Sequence, residues 1–216
     1  RRRRLVRHAG RMNERRPLPQ AIEGQRLIAV MRRLGTEKVK RVDPILGDAG
    51  IAVMEVTLDG AEALESIQWL AAAGYEVGAG TVLTVEEAGA AHAAGAQFLV
   101  SPSFDPTLVA SVAQSIPMVP GALTPSEVAA AWDRGASAVK LFPASFGGPD
   151  YLKALRGPLA HIPIIPTGGI TDANAAGFVE AGAVAVGVGG WLTGLDDLHE
   201  VSRRAKSLVD SIAQLR

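Results

Sequence analysis

The sequence predicts an α/β protein, a single-domain (β/α)8 TIM barrel, on three observations. Short apolar runs recur eight times between residues 27 and 188, their starts spaced by 20 to 26 residues. Ala-rich segments with helical spacing separate them. Gly closes most of those segments just before the next apolar run. Strand–helix alternation of this kind is what a parallel barrel requires, and 216 residues lies near the lower end for one. A doubly wound open sheet is the alternative. The first run, however, ends in Val30-Met31-Arg32-Arg33 and lacks the Gly-rich turn that such sheets carry.

The eight runs are 27–31, 51–58, 77–81, 98–101, 118–123, 138–142, 164–167 and 184–188. Each is short, rich in Val, Ile, Leu or Ala, and suited to a parallel strand buried on both faces. Helix-period segments lie at 61–73, 85–94, 106–114, 125–133 and 172–181. Their starts carry capping residues: Thr84 ahead of Glu86 and Glu87, Thr124-Pro125-Ser126-Glu127, and Thr171-Asp172. Gly50, Gly74, Gly95, Gly135 and Gly182 mark the ends. Pro44 falls inside the first expected helix, 36–49, and is expected to kink or split it. The segment 195–215 reads as a closing amphipathic helix, with Leu198, Val201, Ala205, Leu208, Val209 and Ile212 on one face.

Composition limits the function. There are no cysteines, so disulfides and thiolate metal sites are excluded. No apolar run approaches the ~20 residues of a membrane span, and the cytoplasm is the expected compartment. The zero net charge hides an asymmetry: residues 1–16 hold eight Arg against one Glu, and the remainder is acidic. Residues 1–22 are read as a basic, unstructured arm and lead-in, and 23–216 as the barrel with its C-terminal helix. The acidic body argues against nucleic acid as a partner, and the arm lacks the aromatic residues that single-strand binders interleave.

In a barrel, the residues at the C-terminal ends of strands face the catalytic mouth. Here those ends present Arg32, Glu55, Thr57, Thr81, Pro102, Lys140, Phe142, Thr167-Gly168-Gly169 and Gly189-Gly190. Lys140 is the only one of five lysines inside an apolar strand run, and Glu55 the only acid inside one. An ammonium in such a run is costly to desolvate, and a neutral amine attacks carbonyls. The same lysine could instead serve a structural ion pair. Strands two and six face one another across a closed barrel, so Glu55 stands opposite Lys140. Buried ion pairs stabilise poorly against apolar packing, which favours chemistry for the pair. Arg32 can clamp a carboxylate or phosphate, and Thr81 adds a hydroxyl beside Gly78 and Gly80. Each has a plain alternative, as a solvated rim arginine and a strand threonine. Thr167-Gly168-Gly169 before a helix, with Gly189-Gly190 after strand eight, resembles a backbone phosphate cradle. Pro102 and Phe142 are read as pocket walls. His8, His92, His161 and His199 fall outside the strand ends, and no metal-ligand cluster is seen, so no metal or cofactor is expected.

These segments together resemble the 2-keto-3-deoxy-6-phosphogluconate (KDPG) / 4-hydroxy-2-oxoglutarate (KHG) aldolase family. The resemblance is carried by Glu55-Val56-Thr57-Leu58, Gly78-Ala79-Gly80-Thr81-Val82-Leu83, Ser101-Pro102, Val119-Pro120-Gly121, Val139-Lys140-Leu141-Phe142-Pro143-Ala144 and Pro166-Thr167-Gly168-Gly169-Ile170. It implies a class I aldolase of the Entner–Doudoroff pathway, a homotrimer without metal, acting on pyruvate and a phosphorylated aldehyde. It implies Lys140 as Schiff-base lysine, Glu55 as acid/base and Thr81 as a holder of the pyruvate carboxylate. The chain departs from the family pattern twice. Asp59 stands where many members have arginine, and Arg32 matches the arginine other members carry after strand one. Gly190 stands where a serine is common. The 142–150 loop with Tyr151 is similar to the galactonate-type relatives, so KHG and 2-keto-3-deoxy-6-phosphogalactonate remain alternative substrates. A trimeric scaffold with an unused pocket is the reading from another class.

Overall fold

A computed structural model describes residues 15–215. Nine parallel strands alternate with ten α-helices among them. The strands are β1 (Leu27–Met31), β2 (Val53–Thr57), β3 (Glu76–Gly80), β4 (Phe98–Val100), β5 (Met118–Val119), β6 (Gly121–Ala122), β7 (Val139–Leu141), β8 (Ile164–Pro166) and β9 (Val186–Val188). The helices are α1 (Gln20–Gln25), α2 (Thr36–Asp48), α3 (Ala63–Ala72), α4 (Val85–Ala93), α5 (Pro106–Val112), α6 (Pro125–Asp133), α7 (Gly148–Arg156), α8 (Asp172–Glu180), α9 (Gly190–Thr193) and α10 (Leu198–Ala213).

The strands form a six-stranded sheet, β5-β4-β3-β2-β1-β9, and a three-stranded sheet, β6-β7-β8. Strand alternation sorts the side chains into two layers. Leu27, Met31, Met54, Val56, Val139 and Leu141 face outward into the cluster shared with the helices. Ile28, Val53, Phe98, Val119, Ala138 and Ile165, drawn from both sheets, meet in a second cluster on the inner faces. Inner-facing Gly78 makes room for Phe98, because a Cβ on that glycine would overlap the ring.

The fifth apolar run divides into two strands at Pro120. Proline has no N–H to continue a ladder, and the chain changes partner there. β5 pairs with β4, whereas β6 pairs with β7. Pro120 keeps a role as acceptor, taking the Lys140 N–H at 2.9 Å. Gly121 is a close approach: a Cβ there would overlap the Pro102 carbonyl.

The capping signals act as expected at two helices. Thr84 and Glu87, and Thr124 and Glu127, form reciprocal capping boxes at α4 and α6. Gly50, Gly74, Gly95, Gly135 and Gly182 all take positive φ. Pro44 does not split its helix, and α2 runs through it from Thr36 to Asp48. Pro44 is exposed, and buried Val39, Val42 and Leu46 hold the helix on its other face. The start of α2 is capped across the fold by Glu62, whose Oε2 accepts the Thr36 N–H at 3.0 Å.

The predicted lead-in is corrected in part. Leu18 and Ile22 are buried and belong to the inner cluster, where α1 plugs the N-terminal end of the strands. Burying a side chain the size of Ile22 contributes roughly 1.5–3 kcal/mol towards holding α1 in place. Arg15 lies over the Trp132 ring at 3.3 Å and donates to the Trp132 carbonyl at 2.8 Å. Residues 1–14 of the basic arm lie outside the described residues. No helix among the described residues is long and apolar enough to cross a membrane.

Candidate active site

The apolar plug fills the N-terminal end of the inner space and leaves the polar inner residues at the other end. There Lys140, on β7, and Glu55, on β2, face one another. Their side chains are 10% and 3% exposed, and Lys140 Nζ lies 4.0 Å from Glu55 Oε1. That Oε1 is buried without a hydrogen-bond partner. Burial pushes the Glu55 carboxyl up from the usual carboxylate range, offset in part by Lys140 and then by Arg32. Glu55 is therefore disposed to hold a proton, and a carboxyl that can hold and release a proton beside an amine is the equipment of carbonyl–amine chemistry.

Gly80 sets the position of that carboxyl. A Cβ on Gly80 would overlap Glu55 Oε1 and stand 2.7 Å from its Cδ. The Lys140 ammonium also lies 5.2 Å from the centre of the Phe142 ring, whose edge closes on Gly168. Thr81, the next residue after β3, holds φ at 57°, a left-handed conformation uncommon for a β-branched residue. Leu58 N–H to Gly80 O at 2.9 Å and Val82 N–H to Val100 O at 3.1 Å pin the backbone on either side of it.

A cavity of about 550 Å³ opens over the pair. All twelve strand-end residues named from the sequence line it: Arg32, Glu55, Thr57, Thr81, Pro102, Lys140, Phe142, Thr167, Gly168, Gly169, Gly189 and Gly190. Gly168 and Gly169 turn at φ 91° and 79°, with Thr167 held by its N–H to Leu141 O and its carbonyl to Ala144 N–H. Among the described residues no cluster of three or more His, Asp or Glu could hold a metal ion.

Three features of the cavity escaped the sequence reading. Arg33, given no role from the sequence, donates to Asp59 Oδ2 at 2.8 Å, and both line the mouth. Asp59 lies well placed for this: although burial opposes it, hydrogen bonds from Thr57 and Arg33 hold its carboxyl below the usual range. Arg32 is exposed and forms no ion pair among the described residues, which leaves it as the free guanidinium of the mouth. Trp191 is the third feature. It follows Gly190 directly, and extending the strand-end reading by one residue would have found it.

A buried lysine facing a protonatable carboxyl, at the C-terminal ends of parallel strands, is the equipment an imine-forming lyase of the class I aldolase type requires. The sequence pattern described as aldolase, KDPG and KHG aldolase, matches residues 19–205, and the chain belongs to that family. It is 40% identical over 178 residues to 2-dehydro-3-deoxy-phosphogluconate aldolase of Treponema pallidum (strain Nichols), covering 80% of this chain and 84% of the relative. It is 36% identical over 170 residues to KHG/KDPG aldolase of Escherichia coli (strain K12), covering 74% and 80%. Among solved structures it resembles KDPG aldolase from Legionella pneumophila with pyruvate captured as a covalent carbinolamine. That match has a TM-score of 0.74 at 28% identity and covers 89% of this chain and 95% of the other.

Proposed function

We propose that this chain reversibly cleaves 2-keto-3-deoxy-6-phosphogluconate to pyruvate and glyceraldehyde 3-phosphate. The observation that carries the reading is the buried Lys140–Glu55 pair at 4.0 Å beneath a cavity of substrate size. Lys140 Nζ adds to the C2 ketone, giving a carbinolamine. Loss of water, assisted by a proton from Glu55 relayed through one water, gives the protonated imine. The C4 hydroxyl then loses its proton, the C3–C4 bond breaks, and its electron pair moves into the iminium as an enamine. Glyceraldehyde 3-phosphate leaves. Protonation of the enamine carbon and hydrolysis of the imine release pyruvate and restore Lys140. Arg32 and Thr81 anchor the pyruvate carboxylate. Thr167, Gly168, Gly169, Gly189 and Gly190 form the distal cradle, while Pro102 and Phe142 wall the pocket.

The two sheets act in this reading as one closed eight-stranded barrel. Support comes from the bonds between their edges: Ser137 N–H to Met118 O at 2.8 Å, Val184 N–H to Ile164 O at 3.0 Å, and the bridge of Thr167 with Gly187. β5 and β6 are then the halves of strand five. A homotrimer acting in the cytoplasm completes the proposal.

Gly190 favours a second reading. Without a side-chain hydroxyl there, 4-hydroxy-2-oxoglutarate, which needs no phosphate site, becomes a competing substrate. Borohydride reduction in the presence of pyruvate, followed by mass spectrometry, tests the first step. An adduct on Lys140 is expected, and Lys140→Met abolishes it. No adduct anywhere on the wild-type chain refutes the aldolase reading. Turnover of phosphorylated and unphosphorylated aldols then ranks the two substrates.

A further inference from the structure

We propose that Trp191 is a specificity-determining residue whose indole N–H donates to the distal phosphoryl group of the substrate, and that Arg204 is the positioning residue that holds it. The proposal rests on the aldolase reading above and names the donor that the cavity uses at its far end.

Four observations on the structure lead there. First, Gly190 offers no side chain, and a Cβ added to it would meet no atom within 4 Å, so this end of the cavity has room and lacks a hydroxyl. Second, Trp191, the next residue, lines the same cavity beside Gly189, Gly190 and the Gly168–Gly169 turn. Third, its Nε1–H has no acceptor among the described residues. The Trp69 indole, by contrast, donates within the fold, to Asp43 Oδ2 at 3.4 Å. Trp191 lines the cavity and its indole N–H has no partner among the described residues, so that donor is assigned to the ligand.

Fourth, the indole is held from behind. The Arg204 guanidinium, on α10, lies 4.9 Å from the Trp191 ring centre and donates Nη1–H to the Trp191 carbonyl at 2.7 Å. Arg204 is itself fixed by its Nε–H bond to Glu200 Oε1 at 2.7 Å. Glu200 also takes two bonds from Arg203, and these arginines hold its carboxyl down at about 2, so it is charged throughout the working range. Arg204, braced by Glu200, is thus the charged side chain that holds the ring. A cation over an indole draws electron density from the ring and makes its N–H a better donor. A hydrogen bond from that N–H to a phosphoryl oxygen is charge-assisted, and the nearby guanidinium adds a favourable potential for the same anion. The sum replaces what a hydroxyl at position 190 would supply.

The test compares phosphorylated and unphosphorylated aldol substrates. Trp191→Phe keeps the apolar wall and removes the donor. It raises KM for the phosphorylated substrate about tenfold, the size of one hydrogen bond to a charged group. KM for the unphosphorylated substrate, kcat, and the borohydride-trapped pyruvate adduct on Lys140 stay within twofold. Arg204→Gln shifts the same KM in the same direction, and Arg204→Lys restores part of it. Gly190→Ser added to Trp191→Phe recovers the lost affinity, since the hydroxyl has space. Should the Phe variant fold poorly, the wild-type chain labelled with 15N-tryptophan is titrated with inorganic phosphate. The Trp191 indole N–H signal, assigned by Trp69→Phe and Trp132→Phe, then shifts while the other two stay. Equal losses on both substrates, no loss on either, or an unmoved Trp191 signal overturns the proposal. A normal adduct with an unaffected Trp191→Phe sinks this inference and leaves the aldolase reading standing. Absence of the adduct from wild type sinks both.

Discussion

Gly80→Ala is the sharpest probe of the active site, because it adds one methyl group and removes no chemical function. Gly80 ends β3 in register with Thr57 of β2, and its Cα faces the Glu55 side chain. The new Cβ would overlap Glu55 Oε1 and sit 2.7 and 2.9 Å from Cδ and Cγ, where ordinary contact begins near 3.4 Å. The carboxyl must therefore retreat by roughly an ångström. It has little space to do so: Glu55 is 3% exposed, Phe98 fills the position beside Gly78, and Lys140 stands 4.0 Å away. A displacement of that size at a proton-transferring group costs on the order of 100-fold in rate. At 1.36 kcal/mol per decade this is about 2.7 kcal/mol of barrier. Overpacking adds about 1–3 kcal/mol of destabilisation, small enough for the chain to stay folded at 25 °C. Pyruvate release measures kcat, and a circular dichroism melt reports the fold. A folded Gly80→Ala protein with kcat within twofold of wild type would refute the claim that this glycine positions Glu55.

Other consequences follow from the same geometry. Arg32→Ala, which removes the unpaired guanidinium of the mouth, raises KM for the keto acid about tenfold or more, with a smaller change in kcat; steady-state kinetics in the cleavage direction checks it. Asp43→Asn stabilises the fold at neutral pH. Asp43 is buried with Oδ1 unpartnered, and burial raises its pKa. A carboxyl whose folded pKa is raised contributes most when protonated, and that contribution is lost as pH rises through the folded pKa. The Asn variant therefore melts about 2 °C higher at pH 7, and its advantage shrinks on acidification towards the ordinary Asp range; calorimetry at several pH values follows this. Arg15→Ala removes the cation over Trp132 and a hydrogen bond to its carbonyl, a loss of about 1–2 kcal/mol, read as a lower melting temperature with unchanged kcat.

The placement of Lys140 and Glu55 was the most legible part of the candidate site. A lysine and a glutamate inside apolar strand runs are so costly to bury that their presence alone marks them, and the glycine turns at 168–169 and 189–190 stand beside strand ends. Less legible were contacts between residues distant along the chain. Nothing local to Arg33 says that Asp59 will pair with it, or that Arg32 will stay free. Pro120 reads as the middle of one strand, and only the partners on either side turn it into a boundary between two. Leu18 and Ile22 sit next to a basic, polar arm, and their burial depends on the hole that the strand bottoms leave for them.

What the chain alone determined is therefore the alternation of strands and helices, their caps, and which lysine and which glutamate are buried face to face, because each follows from local patterning and the cost of desolvating charge. What tertiary structure decided is where those groups stand. The plug of Ile22 and Phe98 closes one end of the inner space, so Lys140 and Glu55 lose water at the other. The bare Cα of Gly80 fixes how near the Glu55 carboxyl comes. Arg204, on the last helix, pins Trp191 at the cavity wall. Distances of this kind depend on packing between elements far apart in sequence, which local propensity does not encode.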